Sequence, residues 1–392
     1  MNKKDLILIS IMHFVLDTFM GFFSIYFVIA HLDPVKSALI ASVTIFIGNI
    51  IHPVTGYLAD RIPGKFVLFT GLILTSIFAS IIGITTNYSL LFVFVIISRV
   101  GSALFHPAGA TISSSAGGNK NSASLAIFST AGTIGYSFSQ LIFSYFTKYM
   151  GFHNSYLLAF PGIILAFYYL IHSNMVVNTE NQVIKLNLLF KVIKERFLPI
   201  LLLYLIMVFR SAFVMAINFF IAKIFKDWGF GRLYYSSANM VFMLSGALGL
   251  LVAGALSTKI KSKTLLAVSL TAFLPFFLIF LVAGLKGKLI VSYIFLILTG
   301  FILYSGHASN ITMGHRIAPE ITSTISGILM GFAWATSSFG PTVCALTSDK
   351  LPFFSGLTSG LVILSIFPLI AGFLVHFLPP NVQDDINKAI AG

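Results

Sequence analysis

Asp17 is an acid in an apolar setting. Of eleven acidic residues, ten fall in polar segments or at the ends of apolar runs, and Asp17 alone falls near the middle of one. His13 precedes it by four residues, so on a helix the two side chains project from neighbouring faces one turn apart. A carboxylate beside an imidazole can relay a proton or ligate a divalent metal. Arg99 and Arg210 also lie near the middle of apolar runs. Guanidinium offers paired donors and a permanent charge, which suits a carboxylate, phosphonate or phosphate. His106 follows Arg99 by seven residues, about two turns along the same face, and His307 stands at the matching place 201 residues later. His52, beside Pro53, is a fourth histidine within an apolar run.

These residues need elements to hold them, and the composition says which. Hydrophobic residues make up 57% of the chain, charged residues 9%, and the mean hydropathy is +0.98. A soluble domain carries about 25% charged residues. Twelve apolar runs fall near 6–30, 37–59, 66–85, 88–111, 122–147, 155–174, 197–222, 234–257, 264–284, 289–314, 322–346 and 354–377. Each is long enough for a helix of about 20 residues to cross the hydrocarbon core. The first run follows Met1, Asn2, Lys3, Lys4 and Asp5. It is too long for a signal-peptide core and lacks a small-residue cleavage site, so it reads as span 1. At such depth an ionisable side chain costs about 2.5–3.5 kcal/mol, which makes Asp17, Arg99 and Arg210 candidates for function rather than decoration.

The halves repeat. Gly56-Tyr57-Leu58-Ala59-Asp60-Arg61-Ile62-Pro63-Gly64-Lys65 returns, weakened, as Gly254-Ala255-Leu256-Ser257-Thr258-Lys259-Ile260-Lys261-Ser262-Lys263, an offset of 198 residues. Each copy joins two apolar runs. A polytopic chain duplicated in this way is the architecture of a secondary transporter, two bundles rocking about a central site. The expected fold is an all-α membrane protein with twelve transmembrane helices in two pseudo-symmetric six-helix bundles. Residues 1–174 and 197–378 form the bundles, 175–196 a cytoplasmic linker and 379–392 a cytoplasmic tail. With both termini inside, fourteen Lys and Arg lie on the cytoplasmic side against eight outside, the bias that orients membrane proteins. The net charge of +13 is therefore a topology signal, since the cations sit in loops and form no stripe for nucleic acid.

Glycines recur where helices should touch: Gly132 and Gly135 on span 5, Gly246, Gly249 and Gly254 on span 8, and a Gly327/Gly331 GxxxG on span 11. Pro107, Pro161, Pro275, Pro341 and Pro368 are expected to kink their helices. The single cysteine, Cys344, excludes an internal disulfide and a cysteine metal cluster. No GxSxG, HExxH or nucleotide-binding loop is present, so an enzyme is not expected.

The loop at Gly56–Lys65 resembles the signature loop between spans 2 and 3 of the major facilitator superfamily. Arg99 followed by Gly101 resembles that superfamily's span-4 arginine motif with altered spacing. Gly132 and Gly135 match part of its span-5 glycine motif, whose proline is absent. The stretches Gly101–Pro107, Ala116–Gly118 and Leu125–Phe128 are similar to the fosmidomycin-resistance branch. His13 to Asp17, and Ser326-Gly327 through Gly331-Phe332, fit the same branch. The resemblance implies alternating access and proton-coupled export, with a small phosphonate as the drug that names the branch. It also implies a gate in which Gly56, Asp60, Arg61 and Lys65 form a latch, Asp60 capping the helix that begins near Thr322 and Ser323. Thr258 replaces the acid in the second copy, so the latch is expected on one side only. A monomer in the bacterial inner membrane is likewise implied.

The residues then take roles. Asp17, His13 and His106 are expected to carry protons, and Arg99, Arg210 and His307 to bind a small anionic organic solute. Asp17 and the substrate are expected to compete for an arginine. No cofactor is expected. Two alternatives share these residues: uptake of an anionic metabolite or chelate by proton symport, and export of a divalent transition metal held by His13, Asp17, His106 and His307.

Overall fold

The structure, a computed structural model, describes residues 3–59, 61–117, 121–172, 186–256 and 259–379. These are almost entirely helical. Ten helices among them are long and apolar enough to cross a membrane. In chain order they are span 1 (Lys4–Ile29), span 3 (Gly64–Ile84), span 4 (Tyr88–Ser114), span 6 (Phe152–His172), span 7 (Phe197–Asp227), span 8 (Arg232–Leu256), span 9 (Ser262–Leu285), span 10 (Leu289–Ile317), span 11 (Thr324–Leu346) and span 12 (Gly356–Val375). Two further helices occupy the expected places of spans 2 and 5. Pro34–Ile50 is apolar and 17 residues long. Asn121–Met150 has 30 residues, about 45 Å at helical rise. Its serines, threonines and glycines lower its apolarity, and several of them are buried against other helices.

Contacts divide the chain into two compact units. The first comprises Met1–Glu180 with Asn218–Met240, the second Asn181–Ile217 with Val241–Gly392. Each has its own apolar core. In the first, Ile9, Met12 and Leu16 of span 1 meet Leu68 and Leu72 of span 3, Phe105 of span 4 and Phe128 of span 5. In the second, Leu203, Ile206 and Met207 of span 7 meet Leu266 and Leu270 of span 9, Leu329 of span 11 and Val375 of span 12. Of the expected linker, Leu186–Glu195 is a ten-residue helix, and 173–185 lies outside the described residues. Of the expected tail, 380–392 also lies outside them.

Between lipid-compatible helices there is little hydrophobic drive, so close packing and buried hydrogen bonds hold them. Gly135 shows the packing: a Cβ there would overlap the Phe14 carbonyl, so spans 1 and 5 meet backbone to backbone. Gly249 stands likewise against the Phe301 carbonyl, joining spans 8 and 10. The GxxxG of span 11 does something else. A Cβ at Gly327 or Gly331 would meet nothing within 4 Å, and neither does one at Gly254. Those three are not packing glycines. Gly327–Phe332 instead forms a π-helical segment, the wide turn that often marks functional positions in helices.

The prolines act through the hydrogen bonds they remove. Pro107 lies inside span 4 and has no N–H for the Ala103 carbonyl one turn back. The Thr55 hydroxyl, from the short helix His52–Ala59, donates to that carbonyl at 2.8 Å. A neighbouring helix thus satisfies the group that proline freed, as a membrane interior requires. Helical runs also break just before Pro275 and Pro368, at Ala272 and Ser365.

Candidate functional site

In the first unit, span 1 carries His13 and Asp17 one turn apart, and span 4 brings His106 to them. The His13 Nε2 lies 3.2 Å from Asp17 Oδ2, and the His106 Nε2 lies 3.3 Å from Asp17 Oδ1. The two Nε2 atoms are 3.3 Å apart. All three side chains are largely enclosed, His13 almost completely.

The far nitrogen of each ring fixes its tautomer. His13 Nδ1 lies 2.7 Å from the Phe128 carbonyl oxygen, and His106 Nδ1 lies 2.8 Å from the Ser102 carbonyl oxygen. A carbonyl only accepts, so each Nδ1 carries a hydrogen. Both Nε2 atoms therefore face the carboxylate as lone pairs unless a positive species sits among them. Two imidazole lone pairs and a carboxylate at 3.2–3.3 Å repel one another. The cluster is built to hold a cation: one or two protons, or a metal.

Its surroundings fix its shape. The Phe128 ring stacks on His13 at 4.0 Å between centroids. Ser102 Oγ is 3.2 Å from His106 Nδ1. Gly132 of span 5 borders the cluster, and a Cβ there would lie 2.5 Å from both Asp17 Oδ2 and His13 Nε2. Of the two glycines of the span-5 motif, Gly132 therefore borders this site, while Gly135 packs on the Phe14 backbone. His52 stands beside it, its ring 6.3 Å from that of His106.

Arg99 makes no ion pair with Asp17 within 4 Å among the described residues. Its guanidinium approaches Met20, with NH1 3.5 Å from Sδ and NH2 3.5 Å from the carbonyl oxygen. The close contacts of the carboxylate are to the two imidazoles.

In the second unit, span 7 carries Arg210 and span 10 carries His307. Arg210 is 3% exposed. Its Nε donates to the Leu303 carbonyl at 3.1 Å, and its NH1 donates to His307 Nδ1 at 3.1 Å. Its NH2 is buried with no hydrogen-bond partner among the described residues. The guanidinium also lies 5.1 Å above the Tyr304 ring. Arginine only donates, so His307 accepts at Nδ1 and carries its hydrogen on Nε2. Trp334 of span 11 stacks along His307, nearly parallel at 6.3 Å. Of the four residues of the metal alternative, His13, Asp17 and His106 form a cluster among the described residues, and His307 is paired with Arg210 instead.

At the loop after span 2, Asp60 lies outside the described residues, as does Thr258 of the second copy. The backbone of Gly56 lies in the short helix His52–Ala59. Arg61 NH1 donates to the Tyr57 carbonyl at 3.2 Å, and its guanidinium covers the Tyr57 ring at 3.4 Å. The Lys65 ammonium lies 5.3 Å from the Phe66 ring.

One ion pair escaped sequence reasoning. Arg196 donates from NH1 and NH2 to the two carboxylate oxygens of Glu320, at 2.6 and 2.8 Å, and from NH1 to the Ile317 carbonyl at 2.7 Å. The fork holds the Glu320 carboxyl below its usual range and the Arg196 guanidinium above its own. It ties the entrance of span 7 to the turn between spans 10 and 11. Nothing at 124 residues' separation in the sequence signals it.

These features define a multi-pass helical membrane transporter with one ionisable cluster in each unit. The sequence profile of the Major Facilitator Superfamily matches residues 6–341, and the chain belongs to that superfamily. It is similar to the fosmidomycin resistance protein of Escherichia coli K12, 22% identical over 343 residues, 86% of this chain and 82% of that protein. It is also similar to the MFS-type transporter YfnC of Bacillus subtilis 168, 23% identical over 390 residues, 96% of this chain and 93% of the relative. Among solved structures, a point mutant of the nucleoside transporter NupG superposes with a TM-score of 0.79 at 14% identity, covering 95% of this chain and 99% of that one. A bacterial homolog of the human lysosomal transporter Spinster, inward-facing and unoccupied, superposes at 0.77 and 13% identity, covering 95% and 96%. These likenesses establish the fold. The chain is a transporter and not an enzyme.

Proposed function

We propose that this protein exports a small anionic organic solute in exchange for protons, by alternating access across a bacterial plasma membrane, as a monomer with both termini cytoplasmic. The observation that carries the reading is the division of labour between the units. His13, Asp17 and His106 converge as acceptors and take up positive charge. Arg210 donates to His307 and keeps a buried NH2 with no hydrogen-bond partner among the described residues. A buried, unpaired guanidinium nitrogen is costly unless a ligand satisfies it, and an anionic oxygen is the natural acceptor. Trp334 beside His307 adds a flat apolar wall. Export rather than uptake is supported by similarity to a protein named for drug resistance.

Arg99 serves as a substrate-binding positive charge of the first unit, and the loop carrying Gly56, Asp60, Arg61 and Lys65 serves as gate. One proton moving through about 100 mV supplies roughly 2.3 kcal/mol, enough for a solute gradient of about fifty-fold. Proteoliposomes test the coupling. The wild type is expected to accumulate solute against its gradient when a pH gradient is imposed, and Asp17→Asn to equilibrate it only. Accumulation by Asp17→Asn would remove Asp17 as proton carrier. Everted vesicles energised by respiration test direction: an exporter loads them, a symporter does not.

A further inference from the structure

We infer that His13, Asp17 and His106 form a three-ligand site for a divalent transition metal of the Zn²⁺ and Co²⁺ class, with its fourth coordination position open.

The distances are those of a coordination shell. Zinc binds imidazole nitrogen and carboxylate oxygen at about 2.0–2.1 Å in a tetrahedron, which sets ligand atoms about 3.3–3.4 Å apart. Here the three separations are 3.2, 3.3 and 3.3 Å. One carboxylate oxygen faces each imidazole, and one ligand atom from each of the three residues lies within 4.8 Å of the others. The ligand atoms come from two helices locked together by a buried core, so the site needs little ordering on binding.

The outer shell has the matching form. A metal-bound imidazole donates its other N–H to a carbonyl or carboxylate, which fixes the tautomer and strengthens the ligand. Both histidines do this, to Phe128 and Ser102. Both Nε2 lone pairs are thereby aimed inward. The ligand set, two nitrogens and a carboxylate, is of borderline softness and suits Zn²⁺, Co²⁺ or Fe²⁺ rather than Mg²⁺ or Ca²⁺.

The helix on the third side comes close only because it carries no side chain there. A Cβ on Gly132 would stand 2.5 Å from Asp17 Oδ2 and 2.5 Å from His13 Nε2, so any larger residue would displace two of the ligands. The hydrogen bonds of the Arg99 guanidinium go to Met20 and leave the Asp17 oxygens to the two imidazoles. Three protein ligands with an open position is the pattern of an exchangeable site rather than a structural one. A metal held here displaces the protons that the proposed transport cycle needs, so the site also makes the transporter sensitive to free Zn²⁺.

Metal binding itself is read with no gradient and no substrate, so it stands or falls apart from the transport reading. The test uses the full chain without a polyhistidine tag, purified in detergent, stripped with chelator and titrated with Co²⁺. The expected result is one Co²⁺ per chain with the intense visible absorption of tetrahedral cobalt, displaced by Zn²⁺. Asp17→Asn, His106→Gln and Gly132→Ala are each expected to weaken binding about 10–100-fold or more. His52→Ala is expected to stay within about two-fold. Thermal unfolding guards against misfolded variants: Zn²⁺ is expected to raise the wild-type melting temperature and leave that of a folded His106→Gln protein unmoved. The inference is overturned if the wild type shows no tetrahedral band up to millimolar Co²⁺. It is equally overturned if His106→Gln binds with wild-type affinity.

Discussion

The two units set a histidine from the fourth helix of each half against an ionisable residue from the first, and fill that frame with opposite chemistry. In the first unit His106 of span 4 turns its Nε2 to the Asp17 carboxylate of span 1. In the second, His307 of span 10 turns its Nδ1 to the Arg210 guanidinium of span 7. The same residue type at corresponding positions faces a carboxylate in one unit and a guanidinium in the other. Imidazole has a donor and an acceptor edge, and the partner decides which edge is spent. The partner on the first helix sets the sign of the charge that each histidine meets.

The contrast can be broken at its acidic side first. Asp17→Asn is expected to abolish uphill accumulation in proteoliposomes while leaving downhill exchange measurable. Next comes the anion side. Arg210→Lys keeps the charge but loses the planar fork, and a charge-assisted hydrogen bond is worth about 1.5–3 kcal/mol. Solute affinity is expected to fall roughly 10–150-fold, read by direct binding, with metal binding at the first-unit cluster unchanged. Loss of metal binding in Arg210→Lys would show that the two clusters are not separate receptors.

Glycines sharpen the same comparison. Gly132→Ala is expected to disrupt the acidic cluster and cost transport activity, because its methyl group would meet Asp17 and His13. Gly327→Ala meets nothing within 4 Å and is expected to change stability by no more than about 1 kcal/mol, read by thermal unfolding. Thr55→Val leaves the Ala103 carbonyl, freed by Pro107, without its donor and is expected to cost about 1–3 kcal/mol beside the first cluster only.

The smallest effect concerns the Arg196–Glu320 fork of the second unit. Its carboxyl is depressed below the ordinary value of 4.5, chiefly by the hydrogen bonds from Arg196. A depressed carboxyl stabilises the fold above its ordinary value, and that contribution is lost as pH falls from about 4.5 toward the depressed value. The pair is partly exposed, at 32% and 38%, so solvent screening limits it to about 0–1 kcal/mol. Glu320→Gln is expected to lower the melting temperature at pH 7 by that small contribution and to flatten the profile below pH 5, where the two proteins converge.

Much of the fold was legible in the apolar runs, because the bilayer allows only helices of a set length to cross it. Span 5 was legible from its place in the series, although its serines and glycines weaken its hydropathy. The candidate site was legible in part. Asp17, Arg99 and Arg210 stand out because charge in an apolar run is costly, and His13 follows from helical spacing. That Arg99 approaches Met20, that Gly132 lies against Asp17 and His13, and that Gly327 and Gly331 do not pack were not legible. Each depends on which face of one helix meets another, and a glycine reads the same whether it touches a neighbour or open space. Arg196 and Glu320 lie in polar turns where nothing local marks a partner.

By itself the sequence determined a duplicated, multi-pass helical membrane protein with a few costly charges, since hydropathy and length act along the chain and need no partner. Only the tertiary structure decided that Asp17 is held by two histidines and that His307 belongs to an arginine. Hydrogen-bond direction and side-chain reach across helices choose those partners, and both are properties of packing in three dimensions.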